Sequence, residues 1–214
     1  ASTAAGPVFE GGNIRWGTGS IPGAIANVSI EEEGPSVCTV ADMPPIGICG
    51  TGVIETVSEL LSAEIIDKTG KLKEAYFEKG YPLAKTRSGK TILFTQRDIR
   101  EVQMAKAAIR AGIEILLLTA GISCDKIEQV FLAGGFGYYL NIPKAASVGI
   151  LPKELVSKTT AAGNTSLTGA LFYLAKQTDA VLSELAADAV DVPLAADEHF
   201  QELYLSHMEF KKIT

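Results

Sequence analysis

The sequence has few of the groups from which metal and disulfide sites are built. Its 214 residues include three cysteines, Cys38, Cys49 and Cys124, and two histidines, His199 and His207. The cysteines form no C-x-x-C pair and no metal-ligand spacing, which leaves them as reduced thiols of a cytosolic protein. The histidines lie near the C-terminus with no cysteine beside them, so a zinc site is not expected. Long apolar runs are also missing. The longest, Ile113 to Leu118, is broken by Glu114 and falls far short of the ~20 residues that a membrane-spanning helix requires. No basic region followed by an apolar stretch opens the chain, so no secretory signal is read. Dense Lys/Arg clusters are absent, and 19 basic against 25 acidic residues give a formal net charge of -6. That balance argues against a nucleic-acid partner. The expectation is a cytoplasmic chain with neither nucleic acid nor membrane as partner. It opens on Ala1 and not on Met, so it is read as a piece of a longer protein.

What is present suffices for a sizeable core, since 47% of the residues are hydrophobic. Residues 5–25 are rich in glycine, which calls for tight turns or close backbone approach. Strands are expected at Ala24 to Ile30 and Ser36 to Val40, joined by the E-E-E-G-P turn. Gly47 to Gly52 (G-I-C-G-T-G) reads as a loop opening a helix from about Val53 to Ser62. Ile54, Val57, Leu60 and Leu61 give that helix an apolar face, with Glu55, Ser58 and Glu59 turned away. Residues 73–95 look irregular, apart from a strand at Thr91 to Phe94. The longest helix starts near Gln96, with Thr95 as N-cap, Asp98 in the first turn and Gly121 at its end. A strand at Gln129 to Ala133 runs into Gly134-Gly135-Phe136-Gly137. A second ends at Gly163-Asn164-Thr165 before a helix from about Ser166 to Lys176. The tail reads as helices near 178–188 and 196–206 around a short strand, Val190 to Leu194. This order predicts a mixed α/β domain, with a mixed sheet flanked by helices.

Three stretches carry candidate chemistry. At Gly134 and Gly135 a flat ligand can lie against bare backbone, and the following amides can donate to phosphate or ribose. The amides of Gly50, Thr51 and Gly52 form an anion nest at a helix start. Asn164 or Thr165 caps a helix in which Gly169 and Ala170 permit close packing. Each stretch reads equally well as a plain turn, cap or packed helix. No G-x-G-x-x-G and no G-x-x-x-x-G-K-[ST] occurs, so neither a Rossmann site nor a P-loop is read.

In order, these features resemble the second lobe of actin-like (ribonuclease H-like) ATPases. The resemblance implies that Gly134, Gly135, Phe136 and Gly137 lie beside adenosine, and that Gly163, Asn164, Thr165 and Gly169 form a hinge between lobes. The match is closer to one family. Ser2 to Gly11 (S-T-A-A-G-P-V-F-E-G), Gly47 to Glu55 (G-I-C-G-T-G-V-I-E), Phe94 to Ile109 and Phe131 to Gly137 (F-L-A-G-G-F-G) look like the C-terminal domain of reductive activators of corrinoid proteins. The tail Phe200 to Phe210 fits that domain's end, so residues 1–214 read as a single C-terminal lobe.

That resemblance implies ATP and Mg²⁺ as cofactors and a corrinoid protein of a methyltransferase system as partner. It also implies an ATP-driven return of cob(II)alamin to cob(I)alamin, and a homodimer is possible in such a family. Two parts of the pattern are missing: the [2Fe–2S] domain, for which no cysteine spacing is present, and the D-x-G-T phosphate strands. Asp42 and Asp98 do not stand in such contexts, so both parts are expected ahead of this stretch. Glu10 is the candidate catalytic carboxylate. Gln103 and Lys106, one turn apart on the long helix opposite its apolar face, read as a solvated face or as contacts to nucleotide or partner. Trp16, Tyr138 and Tyr139 read as core or as partner-facing aromatics. Two alternatives are a non-catalytic docking or dimerisation module for the corrinoid protein, and a small-molecule kinase of the same superfamily.

Overall fold

Strand β1 (Ala24–Glu31) buries Ala24, Ile25 and Val28. It pairs antiparallel with β2 (Gly34–Thr39) across the glutamate-rich turn. The two-residue β3 (Gly47–Ile48) joins its other edge in parallel, giving a mixed sheet in the order β2-β1-β3. This arrangement comes from a computed structural model, which describes residues 1–135, 139–176 and 179–210.

Helix α1 (Gly50–Ser62) lies on β1 and opens at Gly50, ahead of the expected Val53. A Cβ on Gly52 would run into the carbonyl oxygen of Ile25, so only glycine lets helix and strand come this close. Val53, Ile54, Val57 and Leu60 fill the core beneath. Glu55 and Ser58 do not face away as the periodicity suggested: both are buried. They meet α4 (Ile142–Val148), which covers that side of α1 with Lys144 and Ser147.

Residues 73–95 are more regular than their sequence suggested. Helix α2 (Glu74–Phe77) precedes a hairpin of β4 (Tyr81–Lys85) and β5 (Thr91–Phe94). Pro82 hides β4 from a reading by composition. A two-stranded sheet offers the edge that proline tolerates, and the register shifts between Pro82 and Ala84.

Helix α3 (Gln96–Ala120) begins with a reciprocal capping box. Asp98 N donates to Thr95 Oγ1, and Thr95 N donates to Asp98 Oδ2 at 2.7 Å. It stops at Gly121, whose φ of 65° is left-handed. Asp98 Oδ1 also accepts from Arg15 N at 2.8 Å, which fastens the glycine-rich N-terminal loop to α3.

Strands β6 (Val130–Ala133) and β7 (Thr159–Gly163) pair in parallel as a separate two-stranded sheet. The mixed sheet expected from the sequence is β2-β1-β3, and among the described residues β4-β5 and β6-β7 stand apart from it as two-stranded sheets. Helices α5 (Thr165–Lys176) and α6 (Asp179–Asp188) follow, and neither has a buried residue. The expected strand at Val190 to Leu194 does not form. Pro193, which has no N–H to give a ladder, instead leads into a 3-10 turn at Leu194–Ala196. Helix α7 (Phe200–Ser206) packs back on α3. No helix among the described residues is long and apolar enough to cross a membrane.

Candidate functional site

A cleft of about 300 Å³ opens where α1 begins. Its lining includes Glu10, Cys49, Gly50, Thr51, Gly135 and Tyr139, drawn from three stretches far apart in sequence. The floor is the first turn of α1, where Gly50 and Thr51 are buried. The first amides of a helix have no carbonyl of their own helix to bond, and the helix dipole makes this end partly positive. No side chain caps the helix at Cys49, so those amides are left for what enters the cleft. The Cys49 thiol turns aside: it donates to Ile25 O at 3.2 Å and lies 3.1 Å from Thr51 Oγ1. Gly52, the third residue of the expected nest, packs on β1 and is not among the described lining residues.

One wall is the N-terminal loop. Glu10 closes a short 3-10 helix, Val8–Glu10, and is the one acidic residue among the described lining. A Cβ on Gly17 would strike the carbonyl oxygen of Gly11, so the loop folds on itself as tightly as glycine allows. The adjoining Thr18, Gly19 and Ser20 complete this wall. Trp16 is half-buried against the core, while its carbonyl accepts from Ile48 N at 2.7 Å. The facing wall holds Gly135 and the exposed Tyr139. Gly134 has φ +93° and donates to Gly163 O at 2.8 Å, joining the ends of β6 and β7. Among the described residues nothing stands within 4 Å of where a Cβ on Gly135 would sit, so on that side its backbone is open. Phe136, Gly137 and Tyr138 lie outside the described residues.

Gln103 and Lys106 are not among the described residues of the cleft, nor are they a solvated face. Both are buried, and both hold the tail. Gln103 Nε2 donates to Met208 O at 2.8 Å and to Thr69 O at 3.1 Å. Lys106 Nζ donates to His207 O at 2.6 Å and Glu209 O at 2.7 Å, and sits 4.9 Å from the centre of the Phe210 ring. The apolar stripe of α3 could not show this, because the chain that covers its other side comes from about a hundred residues later. Two turns on, His207 Nε2 lies 3.0 Å from Glu114 Oε1, which also accepts from Arg110 Nε at 2.9 Å. Burial pushes the Glu114 carboxyl up, but the pairings with His207 and Arg110 outweigh it and hold its pKa below the ordinary value.

At the expected hinge, Asn164 Oδ1 accepts from Leu167 N at 3.1 Å and caps α5. Gly163 ends β7 in the left-handed region (φ 69°), and Thr165 opens the helix. Close packing at Gly169 is absent among the described residues, since nothing stands within 4 Å of an added Cβ. Leu167, Leu171, Phe172 and Leu174 on α5, with Val181, Leu182 and Leu185 on α6, are all exposed. No three of His, Cys, Asp and Glu converge on a common point among the described residues.

A mixed α/β domain with a cleft at a helix N-terminus and a strand–Gly-Gly junction facing it is the class that fold and site define. The whole chain, residues 1–214, matches the model of a family described as the C-terminal domain of RACo, the ASKHA domain, and the chain belongs to that family. It is 30% identical to the corrinoid activation enzyme RamQ of Eubacterium limosum, over 98% of this chain and 39% of that protein. It is 28% identical to the [Co(II) methylated amine-specific corrinoid protein] reductase of Methanosarcina barkeri, over 98% of this chain and 42% of that protein. A solved structure described as a reductive activator for corrinoid, iron-sulfur protein has a TM-score of 0.89 at 35% identity. It covers 97% of this chain and 36% of that one. The chain thus spans about two fifths of the length of the curated relatives.

Proposed function

We propose that this chain is the C-terminal portion of an ATP-dependent reductive activator, which returns the inactive cob(II)alamin of a corrinoid protein to cob(I)alamin in the cytoplasm. One observation carries the reading: Glu10, picked as a catalytic carboxylate, and Gly50, Thr51 and Gly135, picked from separate stretches as nucleotide contacts, line one cleft. The residues suit a bound ATP. The buried first turn of α1 offers amides and a positive dipole end to phosphate oxygens. The open backbone at Gly135 leaves room for a flat base. Glu10 stands where a carboxylate can orient water or a hydrated Mg²⁺. ATP supplies the free energy by which binding at one site biases an electron transfer at another, which is a coupling between sites. The described residues offer no ligand cluster for iron. The reading assigns a [2Fe–2S] centre and the D-x-G-T strands to further parts of such an activator, since this chain spans about two fifths of the length of its curated relatives. The corrinoid partner would belong to a methyltransferase system.

A second reading is a docking or dimerisation module for the corrinoid protein, and the exposed apolar residues of α5 and α6 favour it. The two part company in one experiment on the protein that carries this chain. ATP-dependent appearance of the cob(I)alamin spectrum is followed with the natural sequence and with G135V, which fills the open wall. The activator reading expects ATP dependence in the first and a rate lowered at least about tenfold, roughly 1.4 kcal/mol, in the second. Equal rates with and without ATP would leave docking as the better account.

A further inference from the structure

We propose that Lys144 is a positioning residue that sets the width of the cleft, by clamping α4 to α1 through Glu55 and Glu59. The proposal rests on the nucleotide reading of the cleft.

The two walls are parts of different units. Gly50 and Thr51 belong to α1, which is seated on β1. Gly135 follows β6, and Tyr139 stands three residues before α4. The distance between the walls is therefore fixed by how α4 sits on α1. That contact is polar at its centre. Lys144 Nζ lies 2.6 Å from Glu55 Oε2 and 2.8 Å from Glu59 Oε1, and donates to Val28 O at 3.2 Å. Ser58 Oγ and Ser147 Oγ meet at 2.9 Å one turn along. Glu59 Oε2 accepts from Ile30 N at 3.0 Å, so α1, α4 and β1 all meet at this one ammonium. Asn141 Oδ1, accepting from Lys144 N at 3.3 Å, ties the lysine's own backbone to the segment that leads in from Tyr139.

The arrangement is balanced in one direction only. Glu55 is 3% exposed, and its Oε1 has no hydrogen-bond partner among the described residues. Glu55 and Glu59 are one turn apart on the same face of α1. Without the lysine, two carboxylates side by side on α1 would be left uncompensated beneath α4 in a largely dry contact. Burial pulls the Lys144 pKa down, but the hydrogen bonds to Glu55 and Glu59 outweigh it and hold it above the ordinary value, so the clamp is charged at neutral pH. Removing the charge takes away the attraction that holds α4 on α1 and draws water to the stranded carboxylates, so the contact opens and the wall carrying Gly135 and Tyr139 moves with it.

The test measures nucleotide affinity and melting temperature together, in the protein that carries this chain. K144M is expected to raise the ATP Kd by about tenfold at temperatures where the protein is folded. K144R, which keeps a cation between the carboxylates, recovers most of the affinity. E59Q removes one arm, keeps an acceptor for Ile30 N, and raises Kd by about threefold; it carries the test if K144M does not fold. A melting temperature that falls in K144M and E59Q with an unchanged Kd overturns the proposal and leaves Lys144 as a purely structural residue. ATP binding that is undetectable even with the natural sequence removes the nucleotide reading itself, a result plainly distinct from the first.

Discussion

The two halves of this chain are built to different standards. The half made of β1–β5, α1, α4, the first turns of α3 and the tail residue Phe210 encloses a continuous apolar core, from Val8 through Phe94 and Val102 to Phe210. The half made of β6, β7, α5 and α6 borders a small cluster of Ala146, Leu151 and Leu155, against which Val130 of β6 packs, and beyond it lie helices with no buried residue. Parallel strands are usually covered on both faces, yet Phe131 on β6 is 63% exposed. The first half buries most of its apolar residues in that core. The second presents apolar surface that the described residues do not cover, in a chain that spans about two fifths of its curated relatives.

The sharpest test of that contrast puts the same substitution in each half. G52A drives a Cβ into the Ile25 carbonyl and is expected to cost about 3 kcal/mol, seen as a lower midpoint in urea unfolding. G169A meets open space and gains helix propensity, so it should stabilise by roughly 0.5–1 kcal/mol. Equal effects would erase the distinction. Between these extremes, K106M leaves the carbonyls of His207 and Glu209 without the ammonium. It should cost about 2 kcal/mol and loosen α7 first, which amide exchange along Phe200–Ser206 would show. T95A removes the cap of α3 and should cost about 1 kcal/mol in the same unfolding experiment. The smallest effect concerns pH. Glu114 has a depressed pKa in the fold, so its contribution is present above the ordinary glutamate value and is lost as pH falls through the folded one. Acid should therefore lower the protection of the α7 amides relative to their intrinsic exchange at that pH, and E114Q should remove that acid sensitivity.

Much of the better-packed half was legible in the sequence, because its signals are local. Thr95 and Asp98 announce the start of α3 and Gly121 its end, as the capping box and left-handed cap bear out. The E-E-E-G-P turn marks the β1–β2 hairpin. The misses are matters of long-range cover. Periodicity placed Glu55 and Ser58 on a solvent face, because nothing near them in sequence announces Lys144 and Ser147. Gln103 and Lys106 read as surface for the same reason: the tail that buries them lies about a hundred residues away. Pro82 disguised β4, whose edge position tolerates it. Of the proposed site, Glu10, Gly50, Thr51 and Gly135 were found by their glycine-rich settings. Phe9, Thr18, Ser20 and Tyr139 were not singled out for the cleft, since only folding brings the 17–20 loop against the start of α1.

The most direct measurement is amide hydrogen exchange on the protein that carries this chain, with and without ATP, read at Gly50 to Val53 and at Gly135. Binding in the cleft should slow exchange at the first turn of α1 and at Gly135, while Gln103 and Lys106 on α3 stay unchanged. ATP that binds but leaves the start of α1 untouched, and protects another region instead, would contradict the assignment of the cleft.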